Sequence, residues 1–114
     1  MNKVFKRAFW AACACLVSLV AMAATATDTG LVKDIYVNAS GAVAVTLDTG
    51  YPNAAAAAVC STSNGYAGII DPALNKDIKA ALMLAKATGS KVTVATNGCE
   101  NAGNWYKITA VYVR

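Results

Sequence analysis

The segment from Asp71 to Gly89 constrains the fold of this chain most strongly, because both ends of a helix are marked in it. Asp71 predicts the N-cap, since its carboxylate can accept hydrogen bonds from the free backbone N–H groups of the first turn. Pro72 suits the first helical position, and Gly89 suits the left-handed residue that closes a helix. We therefore expect one long helix here, packed on whatever the rest of the chain forms.

The apolar residues of this helix fall into two groups on a helical wheel, at about 100° per residue. One group forms a stripe that should cover the core and comprises Leu74, Ile78, Ala81, Leu82 and Ala85. The other group, the second row, lies beside this stripe and comprises Ala73, Ala80, Met83, Leu84 and Ala87. Two interpretations of the second row stay open. Its alanines are good helix formers wherever they stand, or the row is a homo-oligomer contact face on which small residues let another helix approach.

Alternation of apolar and polar residues predicts strands on both sides of the helix. In the first of them, Leu31, Ile35 and Val37 alternate with Asp34 and Tyr36. The predicted strands are Gly30–Asn38, Ala42–Asp48, the alanine-rich Ala54–Ala58 (with a loop as its alternative), Lys91–Thr96 and Trp105–Arg114. Apolar Tyr66–Ile70 leads into the helix cap, and the predicted loops include Thr49–Asn53 and Asn97–Asn104.

This element order predicts a fold class that is mainly β with one α-helix. The helix is inserted between the third or fourth strand and the last two strands. A late helix among antiparallel strands of this number is typical of a small OB-like Greek-key β-barrel. A ferredoxin-like layout is disfavoured, because it needs two helices.

Residues 1–23 are typical of a cleaved secretory signal peptide. They begin with basic residues, continue in the apolar run Ala8–Val20, and end in Ala21-Met22-Ala23, with cleavage after Ala26 as an alternative. The apolar run is short for a membrane anchor, and no stop-transfer charge cluster follows it. We therefore expect one secreted or periplasmic domain, residues 24–114, with no membrane span after cleavage.

The charge and cysteine content of the chain bear on its ligands and on the compartment in which it folds. Three of the 10 basic residues and none of the six acidic ones lie in the leader, so the remaining chain is nearly neutral and gives no reason to expect nucleic-acid binding. In an export context, its two cysteines, Cys60 and Cys99, predict a disulfide.

The chain contains no histidine, which excludes a Ser–His or Cys–His nucleophile and an imidazole base. The acidic residues show no paired spacing, and the spacing of the cysteines fits no metal knuckle. We therefore expect no enzyme activity, no cofactor and no metal site.

Two loops carry the candidate ligand-binding residues. Hydroxyl, amide and aromatic groups together are what a sugar site needs, because they supply hydrogen bonds and a flat apolar face. The candidates are Ser61, Thr62, Asn64, Tyr66, Asn101, Asn104 and Trp105. The plainer interpretation is that the Asn and Ser residues form turns and that Trp105 belongs to the core or the barrel rim.

Several short motifs resemble a known group of proteins. They are Ser40–Val45, a single cysteine before a capped helix, Ala81–Gly89 with its Ala-Lys-Ala-Thr-Gly end, and Val92–Val94 before Cys99. Over about residues 30–114 the chain resembles small exported OB-fold proteins similar to the B subunits of subtilase-type bacterial toxins.

The resemblance implies a binding module for glycan or protein, assembled as a ring of five subunits that carries an enzymatic A subunit. The alternative is a stand-alone periplasmic structural or inhibitor-like domain without a small ligand.

Overall fold

The computed structural model describes residues 25–114, so the predicted signal peptide, residues 1–23, lies outside the described residues. This part of the chain is mainly β with a single long helix, as predicted. Its elements are β1 (Thr25–Val37), β2 (Val43–Leu47), the short helix α1 (Pro52–Ala57), β3 (Tyr66–Ile69), the long helix α2 (Pro72–Thr88), β4 (Lys91–Glu100) and β5 (Trp105–Val113).

The five strands form one closed barrel in the order β1-β2-β3-β5-β4, with β4 pairing back onto β1. Every pair is antiparallel except β3 and β5, which run parallel. The long helix α2 follows β3 and precedes β4, so it lies in the predicted place in the chain.

Both predicted ends of α2 are confirmed. The Asp71 carboxylate accepts a hydrogen bond from the backbone N–H of Ala73 at 2.9 Å, and Gly89 adopts φ 67°. Leu82 and Ala85 are buried against the barrel. The second row lies on the exposed side of the helix, where Met83 and Leu84 are the large apolar residues.

Leu74 is a correction to the predicted buried stripe, because its side chain is 65% exposed. Its neighbour Asn75 is buried instead and donates from its amide to the carbonyl groups of Gly41 (2.9 Å) and Ile69 (3.0 Å). Consecutive residues on a helix point about 100° apart, so the polar anchor at Asn75 turns Leu74 away from the barrel.

The predicted strand Ala54–Ala58 is also wrong, because Pro52–Ala57 forms helix α1. The carboxylate oxygens of Asp28 accept hydrogen bonds from the backbone N–H groups of Asn53 (2.9 Å) and Ala54 (3.0 Å). This cap comes from β1 and supplements the high helix propensity of alanine. The predicted loop Thr49–Asn53 therefore ends where α1 begins.

Two strands extend beyond their predicted bounds. β1 begins at Thr25 rather than Gly30, and β4 continues to Glu100, so the predicted loop Asn97–Asn104 shrinks to residues 101–104. The pairing of β1 with β2 shifts between Val32 and Asp34. This irregularity changes which side chains face inward: Val32 is buried, whereas Leu31 and Val37, predicted on the buried face, are exposed.

We call the cluster inside the barrel the inner core. Its main members are Val32, Val45, Leu47, Tyr51, Leu82, Ala85, Val92, Val94, Tyr106 and Ile108. The Tyr51 hydroxyl donates to the carbonyl of Val45 at 2.8 Å. Burial raises the pKa of this hydroxyl, and the Asp28 carboxylate raises it further, so the proton stays available for the bond.

The predicted disulfide between Cys60 and Cys99 is confirmed. Disulfides persist in non-reducing compartments, which this bond therefore indicates for the protein. Within the described part of the chain, neither helix is long and apolar enough to cross a membrane.

Candidate functional site

A second apolar cluster lies apart from the inner core, and we call it the outer aromatic cluster. It comprises Ala42, Ala44, Tyr66 and Trp105, together with Tyr36, whose ring packs against Trp105. Successive residues of a strand point to opposite faces of a sheet. Since Val45 and Tyr106 enter the inner core, their neighbours Ala44 and Trp105 belong to the outer face of the barrel.

Strand register explains why a large indole fits there. Tyr36 pairs with Ala44 across β1 and β2, and Ala44 pairs with Gly68 across β2 and β3. Two small residues therefore stand in a row beside Tyr36, and the Trp105 indole lies above them. A Cβ atom built on Gly68 would be 2.7 Å from Cε3 of Trp105 and 2.9 Å from Cβ of Ala44. The close approach of the indole thus requires glycine at residue 68.

The aromatic residues of this cluster differ in exposure. The rings of Tyr36 and Trp105 meet edge to face, with centroids 6.0 Å apart and planes at 67°. Trp105 is only 4% exposed, whereas Tyr36 is 45% exposed. Trp105 therefore forms a floor, and Tyr36 offers the aromatic surface that a ligand can stack on.

A pocket of about 350 Å³ opens at this cluster. Among the described residues it is lined by Tyr36, Asn64, Tyr66, Asn101 and Trp105, which supply aromatic rings and amide groups and no charged side chain. The two asparagines come from different loops: Asn64 lies in loop 61–65, which precedes β3, and Asn101 lies in loop 101–104, which joins β4 to β5.

The disulfide holds these two loops together. Asn64 comes four residues after Cys60, and Asn101 comes two residues after Cys99. Hydrogen bonds reinforce the contact. The backbone N–H of Asn64 donates to the carbonyl of Asn104 at 3.1 Å, and the Thr62 hydroxyl donates to the Asn104 side-chain oxygen at 2.6 Å. The positions of the pocket asparagines therefore depend on a covalent anchor and on bonds between the loops.

Loop 101–104 has an unusual backbone. Asn101 (φ 54°), Ala102 (φ 55°) and Gly103 (φ 89°) all lie in the left-handed region, and the N–H of Asn104 donates to the carbonyl of Asn101 at 3.1 Å. Asparagine and glycine tolerate this region, but alanine does so only at a cost of about 1–2 kcal/mol. Backbone strain of this kind is common at functional loops.

Polar groups of the pocket are available to a ligand. The side-chain oxygen of Asn64 accepts from the N–H of Tyr66 at 3.3 Å, which leaves its NH₂ group to donate elsewhere. Trp105 makes no side-chain hydrogen bond within residues 25–114, and no side-chain nitrogen or oxygen there is both fully buried and unpaired. The indole N–H of Trp105 is therefore not committed to another described residue, while Trp105 as a whole is only 4% exposed.

The structure brings four of the seven predicted ligand-binding residues together at the pocket, namely Asn64, Tyr66, Asn101 and Trp105. The other three lie beside it. Thr62 and Asn104 bond to each other, and Ser61 lies under Gly103, where an added Cβ would be 3.2 Å from its Oγ.

Sequence reasoning missed Tyr36, the most exposed aromatic residue of the pocket. The only local signal is an aromatic residue between Ile35 and Val37 on a strand. Its meaning depends on the pairing with Ala44, which brings it next to Trp105.

The side chains that line the pocket are aromatic rings and amides. Within the described ranges, no three His, Cys, Asp or Glu residues are grouped as ligands for a metal ion. The arrangement can stack on an apolar ring face and exchange hydrogen bonds with hydroxyl groups.

Comparison with known proteins gives no further guide to function, because the chain matches no protein-family model, no curated protein and no solved structure at a significant level.

Proposed function

We propose that this protein is an exported carbohydrate-binding module whose site is the pocket of the outer aromatic cluster. The observation that carries the proposal is the combination of an exposed tyrosine ring with two amide side chains around one uncharged pocket. Sugars present C–H groups on a ring face and hydroxyl groups at its edge. Aromatic rings match the first, and amides, which both donate and accept, match the second.

The pocket has the dimensions of a small-ligand site. Its volume of about 350 Å³ lies near the lower end of the roughly 300–1,000 Å³ typical of such sites. One or two sugar rings are the ligand that this volume and lining suit. The disulfide adds pre-organisation, since loops that are ordered before binding lose less entropy when the ligand arrives.

The finer fold assignment is part of the proposal. The strand order β1-β2-β3-β5-β4 and the place of α2 between β3 and β4 support an OB-type barrel. OB-type barrels bind oligosaccharides on a strand face and its neighbouring loops. The proposed site, on the outer face of β1, β2, β3 and β5, agrees with this use of the fold, as does the sequence resemblance to toxin B subunits.

Export is the second part of the proposal, and we place signal cleavage after Ala23. Ala26, which precedes the alternative cleavage position, pairs with Thr96 and packs against the inner core. Cleavage after Ala26 would therefore remove the first residues of β1. The disulfide supports a periplasmic or secreted location.

Assembly is the third part, and we propose a homo-oligomer, with a pentamer as the ring implied by the resemblance. The second row of α2 supports this, because exposed Met83 and Leu84 lie there beside three exposed alanines. Apolar residues on the solvent side of a helix indicate a partner surface, and small residues let a neighbouring helix approach closely.

Ala80→Arg tests this assembly. The variant should sediment as a monomer at a concentration at which the native protein is an oligomer, with its disulfide and melting temperature preserved. A monomeric native protein, or an unchanged oligomer in the variant, rejects the assembly and leaves the sugar site to be tested separately.

A glycan array probed with the mature protein, residues 24–114, tests the central proposal, followed by calorimetric titration of the strongest hit. Tyr36→Ala should weaken binding about tenfold or more, if stacking on this ring is comparable to the roughly 1–3 kcal/mol that a nucleic-acid base gains on an aromatic side chain. Tyr112→Ala is the matched control, because Tyr112 is a 55% exposed strand tyrosine that does not line the pocket. Equal sugar affinities of Tyr36→Ala and Tyr112→Ala would mean that the sugar binds outside this pocket. An array without hits would favour the alternative, a stand-alone structural domain without a small ligand.

A further inference from the structure

The residues between 25 and 114 that line the pocket offer hydrogen-bonding groups but carry no charged side chain. From this we infer that it selects uncharged sugars and rejects sugars that carry a carboxylate, sulfate or phosphate. The inference rests on the proposed function and adds to it the chemical class of the ligand.

The lining groups suit hydroxyl groups better than anions. An asparagine side chain donates through its NH₂ group and accepts through its oxygen, and a tyrosine hydroxyl does both. A sugar hydroxyl also donates and accepts, so each pairing has a counterpart. A carboxylate only accepts, and it would leave the accepting oxygens of the pocket without partners while facing their negative ends.

Desolvation strengthens this preference. An anion that enters the pocket gives up its water shell, and that loss is large unless a cation or several charge-assisted bonds replace it. Proteins usually recognise carboxylate and phosphate through arginine or lysine for this reason. The five lining residues supply neither.

The charges that flank the pocket do not supply the missing cation. Glu100 immediately precedes Asn101 and pairs with Trp105 across β4 and β5, so a negative group stands next to the site. Its carboxylate accepts from the N–H of Ile70 at 3.4 Å. Lys107 lies two residues after Trp105 and pairs with Gly68, but it is exposed and is not a lining residue. An exposed ammonium is solvated and screened by salt, and it contributes little to a single ion pair.

The aromatic groups define the uncharged part of the ligand. Tyr36 offers the exposed ring for stacking, and the buried Trp105 forms the floor of the pocket. The ligand that fits is a neutral pyranose with one apolar ring face for Tyr36 and hydroxyl groups for the asparagine side chains.

Matched sugar pairs test the inference on the mature protein, residues 24–114. The probes are the methyl glycosides of glucose, galactose and mannose and the corresponding uronic acids, which differ from them only at C6. For each pair that binds, nuclear magnetic resonance titration should show the neutral sugar binding about tenfold or more tightly than its acid. The methyl ester of the acid should recover the lost affinity, and the affinity of the neutral sugar should not change with salt.

Two variants locate the cause. Asn64→Lys places a cation in the lining and should raise the acid-to-neutral affinity ratio about tenfold or more. Asn64 is the better of the two asparagines for this change, because Asn101 holds a left-handed backbone. Lys107→Ala is the control and should leave the ratio unchanged.

The outcomes separate the inference from the function on which it rests. Acids that bind as tightly as their neutral partners, with affinity lost in Tyr36→Ala, overturn the neutral class and keep the sugar site. Acid affinity that disappears in Lys107→Ala also overturns it, since Lys107 would then act in the site. Failure of all six sugars and of the glycan array rejects the proposed function itself.

Discussion

The inner core and the outer aromatic cluster lie on opposite faces of the same strands, but they differ in the size and exposure of the side chains that form them. The inner core packs large aliphatic side chains such as Val45, Val94 and Ile108 against one another, and the barrel closes around them. The outer cluster instead lays one large indole over Ala44 and Gly68. Its other aromatic ring, Tyr36, stays 45% exposed.

The difference separates residues needed for folding from residues free to bind. The side chains of the inner core are buried, and its polar group at Tyr51 is hydrogen-bonded, since the hydroxyl donates to the carbonyl of Val45. The outer cluster keeps an exposed ring and available amide groups next to a pocket. An apolar cluster with an exposed ring stabilises the fold less than a fully buried cluster of the same size would. We infer that the outer aromatic cluster serves to bind a ligand.

The largest effect should come from Leu82→Asp in the inner core. Leu82 is 0% exposed, so the substitution buries an unpaired charge and should lower the free energy of unfolding by about 5 kcal/mol or more. A domain of this size has little more than that in total. Leu74→Asp is the control, since Leu74 is exposed and an acid near a helix N-terminus is favourable. Urea denaturation of both variants measures the contrast, and equal losses would mean that α2 is turned differently.

Loss of the disulfide should be next in size, and it should affect both regions. Replacing Cys60 and Cys99 by serine opens a loop with a sequence separation of 39 residues. The chain-entropy model assigns such a loop about 4 kcal/mol. Because the pocket loops follow the two cysteines, sugar affinity should fall as well under conditions where the variant stays folded. Unchanged stability and affinity in the double variant would show that the loops do not depend on this anchor.

Gly68→Ala should disturb the outer cluster more than the inner core. The added Cβ would be 2.5 Å from the carbonyl oxygen of Val43 and 2.7 Å from Cε3 of Trp105. Overpacking of this kind costs about 1–3 kcal/mol, and the displaced indole should change the emission of Trp105 and weaken sugar binding. Ala44→Gly removes volume from the same row and should leave the emission nearly unchanged. A Trp105 fluorescence emission in Gly68→Ala equal to that of the native protein would contradict the close packing of the indole on residue 68.

The smallest effect should come from Ala102→Gly in loop 101–104. Glycine relieves the left-handed strain at φ 55° but also increases the freedom of the unfolded chain, so stability should rise by about 1 kcal/mol or less. Gly103→Ala, at φ 89°, is the matched change of opposite sign and should lower stability. Thermal denaturation measures both, and a loss of stability in Ala102→Gly would place Ala102 outside the left-handed region.

The sequence predicts correctly those features of the fold that depend on residues close together in the chain or on residue type alone. The ends of α2 follow from Asp71, Pro72 and Gly89, and the disulfide follows from the two cysteines that lie outside the predicted signal peptide. Helix α1 was mispredicted because its cap, Asp28, lies 25 residues away from Asn53 along the chain. Leu74 was mispredicted because Asn75 bonds to backbone carbonyl groups that only the folded chain brings near it.

The candidate site shows the same division. Asn64, Tyr66, Asn101 and Trp105 were predicted from the residue types of two loops. Tyr36 could not be predicted in this way, because its contact with Trp105 depends on the register of β1, β2 and β3. The exposure of Tyr36 and the burial of Trp105 also depend on packing, so the sequence alone does not show which ring can stack on a ligand.

The indole N–H resonance of Trp105 is the most direct probe of the proposed sugar site, because Trp105 lines the pocket. Trp10 lies in the proposed signal peptide, so the mature protein keeps one tryptophan and gives a single indole signal in a ¹⁵N correlation spectrum. On titration with a neutral sugar that binds the native protein, we predict that this signal shifts in a saturable way, that Tyr36→Ala abolishes the shift and that Tyr112→Ala preserves it. Saturable binding of that sugar with the Trp105 signal unmoved would contradict binding at this pocket.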